Sequence, residues 1–237
     1  MKKVLVISAH AVDFVWRCAG TIAKYTQNGD QVKIIDLTLG VRGESDSTWK
    51  TNKDTTEEAV KITRRMEALE AASILGADIE IFDWNDHLLT LGADQVTVLA
   101  GIIKDFQPDF ILTHTTDLMN ADHTNTNHAV YAALRLAQVY GVFPEKKAVT
   151  TTNIFMFEPD QAEINNFIPN VYIDITDVME LKQKAMSVVG SQAYLSFNYT
   201  NRAEYRGHHA KRLACNSSIK YAEAFQRFLP YVGNEFI

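Results

Sequence analysis

The sequence predicts an α/β fold, a Rossmann-like three-layer arrangement in which helices cover both faces of a mainly parallel central sheet. Three observations predict it. Apolar runs rich in β-branched residues, beginning with "KVLVIS" at 3–8, alternate with stretches of helical periodicity as far as Val139, the order that builds parallel sheets. The runs are continuous, as suits strands buried on both faces. The length of 237 residues and the hydrophobic content of 46% suit one domain with a sizeable core. We expect that domain to span 1–237, with a more irregular portion from about residue 150.

The elements follow in order. "KVLVIS" is the first strand, and "VWRCAGTIAKYTQNG" reads as a helix closed by Gly29. "QVKIIDLTLG" is the second strand, and "GVRGESDSTW" is its exit loop. A long helix is expected from about Thr56 to Leu75, ended by Gly76, with an apolar stripe of Ala59, Ile62, Met66, Leu69 and Ala72. "DIEIFDW" is the third strand, "ADQVTVLAGIIKDF" a helix stopped by "QPD", and "FILTH" the fourth strand. Another helix runs from about Thr124 to Val139. Beyond it, "TTNIFMFEP" and "NVYIDIT" read as strands, "DVMELKQKAMSVVG" as a helix with an aspartate cap, and "SSIKYAEAFQRFL" as a late helix. No GxGxxG follows the first strand, so the dinucleotide fingerprint is absent.

Composition narrows the function classes. The net charge is −6 and the pI about 5.6, so no basic field attracts nucleic acid or an anionic membrane. Two cysteines, Cys18 and Cys215, make no disulfide framework, and a reduced cytoplasm is the expected setting. The apolar run at the N-terminus is too short for a signal peptide. No stretch reaches the roughly 18 apolar residues of a membrane span. An anionic substrate would need local arginines to oppose the global charge.

The chemistry-bearing residues gather at predicted strand ends. The first strand ends at His10, with Asp13 three residues on, and the fourth ends at His114, followed by "TTDLMNADH". Ligands of open α/β sheets bind outside the carboxyl ends of the strands, where strand order switches. If the first and fourth strands are neighbours, His10, Asp13 and His123 converge. Two imidazoles and a carboxylate leave open positions on a catalytic Zn2+, and the same set suits Fe2+ or Mn2+. His114 is expected in a supporting or core role and His128 in a structural one. His208 and His209 belong to the surface or a pocket rim, since adjacent residues rarely ligate one ion well.

"SAHAVDFVWRCAG" resembles the opening motif, AHPDDxxxxxGG, of the PIG-L/LmbE-like metal-dependent deacetylases, and "NADH" at 120–123 resembles their second motif, HPDH. "ITRRMEALEAASILGAD" and "YAEAF" resemble later segments of the same family in the same order. The resemblance implies an LmbE-like domain with His10, Asp13 and His123 as metal ligands. It also exposes two departures. The aspartate that serves the deacetylases as general base falls at Val12, and the histidine that steadies their tetrahedral intermediate falls at Asn120. Valine can neither accept nor donate a proton, and losing a general base costs about 10²–10⁴-fold.

One branch of that family, the 4-oxalomesaconate hydratases, is more similar still. "HAVDFVWRCAG" matches its opening form HxxDFVWRxGG, and "GVRGES" and "FEPDQ" also resemble it. The branch implies a metal-dependent hydratase, a lyase that adds water to an unsaturated, carboxylated 2-oxo acid. Glu44, Asp160 and Asn120 are then the catalytic candidates, although a histidine occupies the place of Asp160 in that branch. Arg17, Arg42, Arg64 and Arg206 are the candidates for substrate carboxylates, because a guanidinium suits bidentate carboxylate recognition. Whether Arg64 or Arg65 faces inward is open, and Arg17 has an alternative partner in Asp13 on the same helix face. Trp16 and Phe14 wall a pocket or fill the core. The alternative activity is a zinc-dependent N-deacetylase of an amino-sugar conjugate, with Glu44 or Asp122 as replacement base. A non-catalytic metal binder is a third reading, opposed by the three intact ligands. The expected partner is a small anionic organic acid or sugar conjugate, and relatives of this kind lead us to expect a homo-oligomer.

Overall fold

In the computed structural model, which describes residues 1–150, 152–232 and 234, the first apolar run forms β1 (Lys3–His10). Val4 and Val6 enter one core and Leu5 and Ile7 the other, so the run is buried on both faces. The chain continues through α1 (Asp13–Gln27), β2 (Gln31–Thr38), α2 (Asp46–Thr51), α3 (Glu57–Leu75) and β3 (Asp78–Trp84). It then forms α4 (Ala93–Phe106), β4 (Phe110–Thr113), α5 (Ala121–Ala137), β5 (Asn153–Phe157) and β6 (Val171–Asp174). The last elements are α6 (Met179–Ser187), α7 (Leu195–Leu213) and β7 (Ala222–Arg227).

One seven-stranded sheet has the order β3-β2-β1-β4-β5-β7-β6. The first five of these strands pair in parallel, and β7 runs antiparallel to both β5 and β6. Helices α1, α3 and α6 share one core with residues of α7, and α4 with α5 builds the core on the opposite face. This is the expected three-layer α/β fold. Strand order reverses between β1 and β4, so the carboxyl ends of these two neighbours open a crevice.

Helix α1 is broken at Cys18, whose φ of −146° is not helical. The break frees backbone donors, and Glu223 on β7 takes them. Its carboxylate accepts the N–H groups of Gly20 (2.9 Å) and Thr21 (2.7 Å) and the Thr21 hydroxyl (2.7 Å), and it pairs with the Lys182 ammonium at 2.6 Å. The glutamate of "YAEAF" thus ties β7 to α1 and α6.

Several expectations are corrected here. The segment "SSIKYAEAFQRFL" holds no helix; Ala222–Arg227 is a strand that closes the sheet between β5 and β6. The preceding residues, left unassigned by periodicity, form α7, and the "GVRGESDSTW" loop ends in the short α2. On α3 most of the expected stripe faces outward: Ile62, Met66 and Leu69 are about half exposed or more and Ala59 is exposed, and only Ala72 of that stripe is buried. The buried face carries Val60, Arg64, Glu67, Ala68, Ala71, Ala72 and Leu75. Two charged residues belong to the core, and their burial rotates the helix away from its hydrophobic pattern. The strand expected from "TTNIFMFEP" begins at Asn153; Thr151 lies outside the described residues.

A glycine enforces one close approach. A Cβ at Gly207 on α7 would lie 2.0 Å from the Lys220 carbonyl oxygen, a backbone atom that cannot rotate away. Gly207→Ala is expected to destabilise the fold by about 1–3 kcal/mol, read as a lower urea midpoint at unchanged m-value.

Candidate metal centre and the cleft beside it

The end of β1, the first turn of α1 and the start of α5 meet at the crevice. Asp13 Oδ2 lies 3.2 Å from His10 Nδ1 and 3.6 Å from His123 Nε2. Zinc bonds of roughly 2.0–2.2 Å in tetrahedral geometry put ligand atoms about 3.4 Å apart, so both separations suit one shared ion. The far nitrogen of each imidazole meets a carboxylate: Asp122 Oδ2 lies 3.1 Å from His10 Nε2, and Asp117 Oδ2 lies 3.2 Å from His123 Nδ1. Such partners fix the tautomer and aim the other nitrogen's lone pair. Here they leave His10 Nδ1 and His123 Nε2 facing Asp13.

His114 offers a competing set with Asp13 and His123, but its Nε2 accepts the Ala9 N–H at 3.0 Å. That bond occupies the lone pair a metal would need. Burial and the nearby His123 charge push the His114 pKa down to about 3, so the ring is neutral. It stacks on His123 with centroids 4.0 Å apart, which holds that ring in place.

The electrostatics agree with this division. Burial opposes a charged His10, and the bonds to Asp122 and Asp13 outweigh it, so its pKa is raised. Burial also opposes the Asp13 carboxylate, and the His123 charge and the His10 bond hold its pKa well below the ordinary range. Asp117 and Asp122 resist burial in the same way, the imidazole bonds bringing each to about 2. These two pKa values lie below the unfolded value of about 3.9. The stability they confer is therefore complete above that value and lost as pH falls through about 2. We expect the stability gap between wild type and an Asp117→Asn/Asp122→Asn variant to be constant above about pH 5 and to shrink toward pH 2. Thermal melts across that range check it.

The local backbone is strained where the chemistry sits. Val12 has φ 68° and ψ 1°, a left-handed conformation that is unusual for a β-branched residue and costs about 1–3 kcal/mol. Asn and Asp enter this region far more readily than Val, so the family's aspartate suits the position better than the valine present. Arg64 clamps the loop from behind. Its guanidinium donates to the carbonyls of Ala11 (2.6 Å) and Leu39 (3.2 Å) and to Ser191 Oγ (2.9 Å). Arg64 is buried and Arg65 is only partly so, which settles which of the two faces inward.

A cleft of about 380 Å³ opens beside the candidate ligands, lined by His10, Gly43, Glu44, His87, Asn120 and Asp122 among others. Glu44 Oε1 lies 3.6 Å from His10 Nδ1. Gln192 donates to Glu44 Oε2 at 2.9 Å, and Asn120 Nδ2 approaches Oε1 at 3.4 Å. Asn120 also caps α5 through its Oδ1, which accepts the Asp122 and His123 N–H groups. Gly40, at φ 65°, gives Glu44 room; a Cβ there would meet the Glu44 Cβ at 3.0 Å.

The four arginines divide. Arg17 is buried between the metal site and α7, and borders a small cavity with His114, Asp117 and His123. It donates to the Glu158 carbonyl (2.8 Å) and pairs with Asp160 at 3.1 Å rather than with Asp13, while its buried Nε finds no partner among the described residues. Asp160 also accepts the Tyr199 hydroxyl at 2.5 Å. Burial opposes its charge, yet Arg17 and Tyr199 keep its pKa lowered. Arg42 points outward to Glu57 (2.6 Å) over Trp49. Arg206 pairs with Glu158. None of the four arginines therefore lines the cleft, Arg17 included. Phe14 and Trp16 are core, with Trp16 Nε1 donating to Gln192. His128 is exposed.

Asp117, His87 and Gln192 were not singled out by sequence reasoning. Asp117 carried a signal, an acidic residue in the loop that leads into α5 and His123. Gln192 carried none, since it lies far along the chain in a segment without periodicity.

A cleft at the switch point, floored by two carboxylate-backed histidines and an aspartate, defines an enzyme with a candidate metal centre. The chain belongs to the PIG-L family: the family model described as GlcNAc-PI de-N-acetylase matches residues 5–134. Over 235 residues it is 38% identical to the 4-oxalmesaconate hydratase of Pseudomonas putida, covering 98% of this chain and 91% of the relative. The solved structure of GalB, the 4-carboxy-2-hydroxymuconate hydratase of Pseudomonas putida, matches with a TM-score of 0.96, 38% identity and full coverage of both chains. A diacetylchitobiose deacetylase of Thermococcus kodakarensis is 26% identical over 197 residues, covering 81% of this chain and 70% of that protein.

Proposed function

We propose that this protein is a metal-dependent hydratase that adds water across a carbon–carbon double bond of an unsaturated, carboxylated 2-oxo acid of the kind its hydratase relatives are named for. The observation that carries the reading is the site itself. His10 and His123 lie 3.2 and 3.6 Å from Asp13 and beside Glu44, which supports them as the donor set, while Val12 stands where a deacetylase would keep its base. Two imidazoles and one carboxylate suit zinc, and ferrous iron or manganese accepts the same donors. A divalent ion held there would supply Lewis-acid polarisation of the substrate's oxygens.

The remaining roles fall to the chain's own groups. Glu44, aimed by Gln192 and Asn120, takes a proton from the attacking water. Arg17, buried beside His114 and His123, sets a positive charge behind the site rather than in the cleft. Asp160, ionised and bound to Arg17 and Tyr199, holds that guanidinium in place. The same reading makes residues 1–237 one LmbE-like domain, supported by the single sheet. It makes the protein a cytoplasmic homo-oligomer, supported by the exposed apolar face of α3; no described helix is long and apolar enough to cross a membrane.

The test uses zinc-loaded protein and 4-carboxy-2-hydroxymuconate, followed by ultraviolet absorbance. Loss of the conjugated chromophore is the expected result. An unchanged spectrum with stoichiometric metal bound would sink the reading. Acetate released from an N-acetylglucosamine conjugate would favour the deacetylase alternative instead.

A further inference from the structure

Hydration needs two proton transfers, one from water and one to carbon, and Glu44 accounts for only the first. Asp160 is committed to Arg17 and Tyr199. Among the residues lining the cleft, His10 and Asp122 serve the candidate metal centre, and His87 brings the one further imidazole.

The backbone around His87 is arranged at a cost. Asp122 Oδ2 accepts the His87 N–H at 2.8 Å, and Oδ1 accepts those of Leu88 (3.0 Å) and Leu89 (2.8 Å). His87 and Leu88 both take left-handed conformations, with φ 58° and 81°. Two such residues in succession are strained by about 1–3 kcal/mol each, and a plain β3–α4 connection would have used Gly or Asn. Leu88 is left largely exposed by the same turn, so burial of apolar surface does not explain it. The carboxylate that imposes this turn is the one that backs His10. The metal ligand and His87 are therefore set in register by a single side chain.

We propose that His87 is the proton donor of the hydration, an inference that rests on the hydratase reading. As an O–H bond of water breaks, its proton passes to Glu44 and the hydroxyl oxygen bonds to one alkene carbon. The π pair moves toward the neighbouring carbon and its conjugated carbonyl. The His87 imidazolium gives its proton to that neighbouring carbon, and the proton on Glu44 returns to His87 through the open cleft. One water is added, with no change of oxidation state overall. Glu44 from the loop after β2, Asp122 from α5 and His10 from the end of β1 line the same cleft as His87. Asp86 precedes it on its own loop and accepts the Arg42 and Gly43 N–H groups, while the Arg42 guanidinium is turned away to Glu57.

The test compares zinc-loaded wild type with His87→Asn, which tolerates the positive φ, and with His87→Ala. The readouts are kcat, KM, bound metal and the pH profile for 4-carboxy-2-hydroxymuconate. We expect kcat of His87→Asn to fall roughly 10²-fold with metal content and KM unchanged. The alkaline limb of the wild-type profile, where a proton donor is lost, should disappear, and added imidazole should restore part of the rate to His87→Ala. A His87→Asn enzyme with wild-type kcat and pH profile overturns the proposal alone. So does a fall in bound metal that accounts for the lost rate. A wild type that leaves the substrate unhydrated removes both the hydratase reading and this step.

Discussion

Glu44→Gln is expected to lower kcat by about 10²–10⁴-fold while the protein keeps its metal and its fold. Glutamine matches the shape of the side chain and still accepts from Gln192 Nε2, now 2.9 Å from Glu44 Oε2. What disappears is the ability to take a proton at a point 3.6 Å from His10 Nδ1. Steady-state kinetics paired with metal analysis of the same sample separates the outcomes. Metal lost in proportion to the rate would make Glu44 a ligand, which its proximity to His10 and His123 also permits.

Asp13→Asn is expected to abolish both metal binding and activity. Asp13 Oδ2 is the atom common to the two histidine distances, and it accepts the His10 N–H at 2.8 Å. An alanine would leave that buried donor unpaired at a cost of about 1–3 kcal/mol and confuse folding with ligation. Asparagine keeps an acceptor for the N–H but carries no charge for the ion. Bound metal should fall from about one equivalent to a small fraction, and hydration below detection, with an unchanged circular dichroism spectrum. An Asp13→Asn protein that retains a full equivalent would mean that His114 or Glu44 completes the site.

Much of this was legible in the sequence because it depends on local pattern. Buried parallel strands require continuous apolar runs, and a switch-point site requires its residues at strand ends, so His10, Asp13 and His123 could be placed together in advance. The limits were equally physical. Hydrophobic periodicity presumes an apolar core, and α3 violates that by burying Arg64 and Glu67. "YAEAFQRF" has helical composition, but Glu223 is needed on a strand where it can reach the broken α1. Arginine roles were the least readable. All four are engaged by carboxylates or carbonyls supplied by other segments, and none lines the cleft, which no local pattern announces. His87 gave no signal, because its importance lies in a backbone turn imposed by a carboxylate 35 residues away.

The central claim is that an ion on His10, Asp13 and His123 enables hydration at a site that has lost the deacetylase base. Titrating metal-free protein with zinc while following loss of the 4-carboxy-2-hydroxymuconate chromophore tests it most directly. The account predicts a rate that rises linearly to one equivalent and then levels off. Full hydration activity before any metal is added, or none at one equivalent bound, would contradict it.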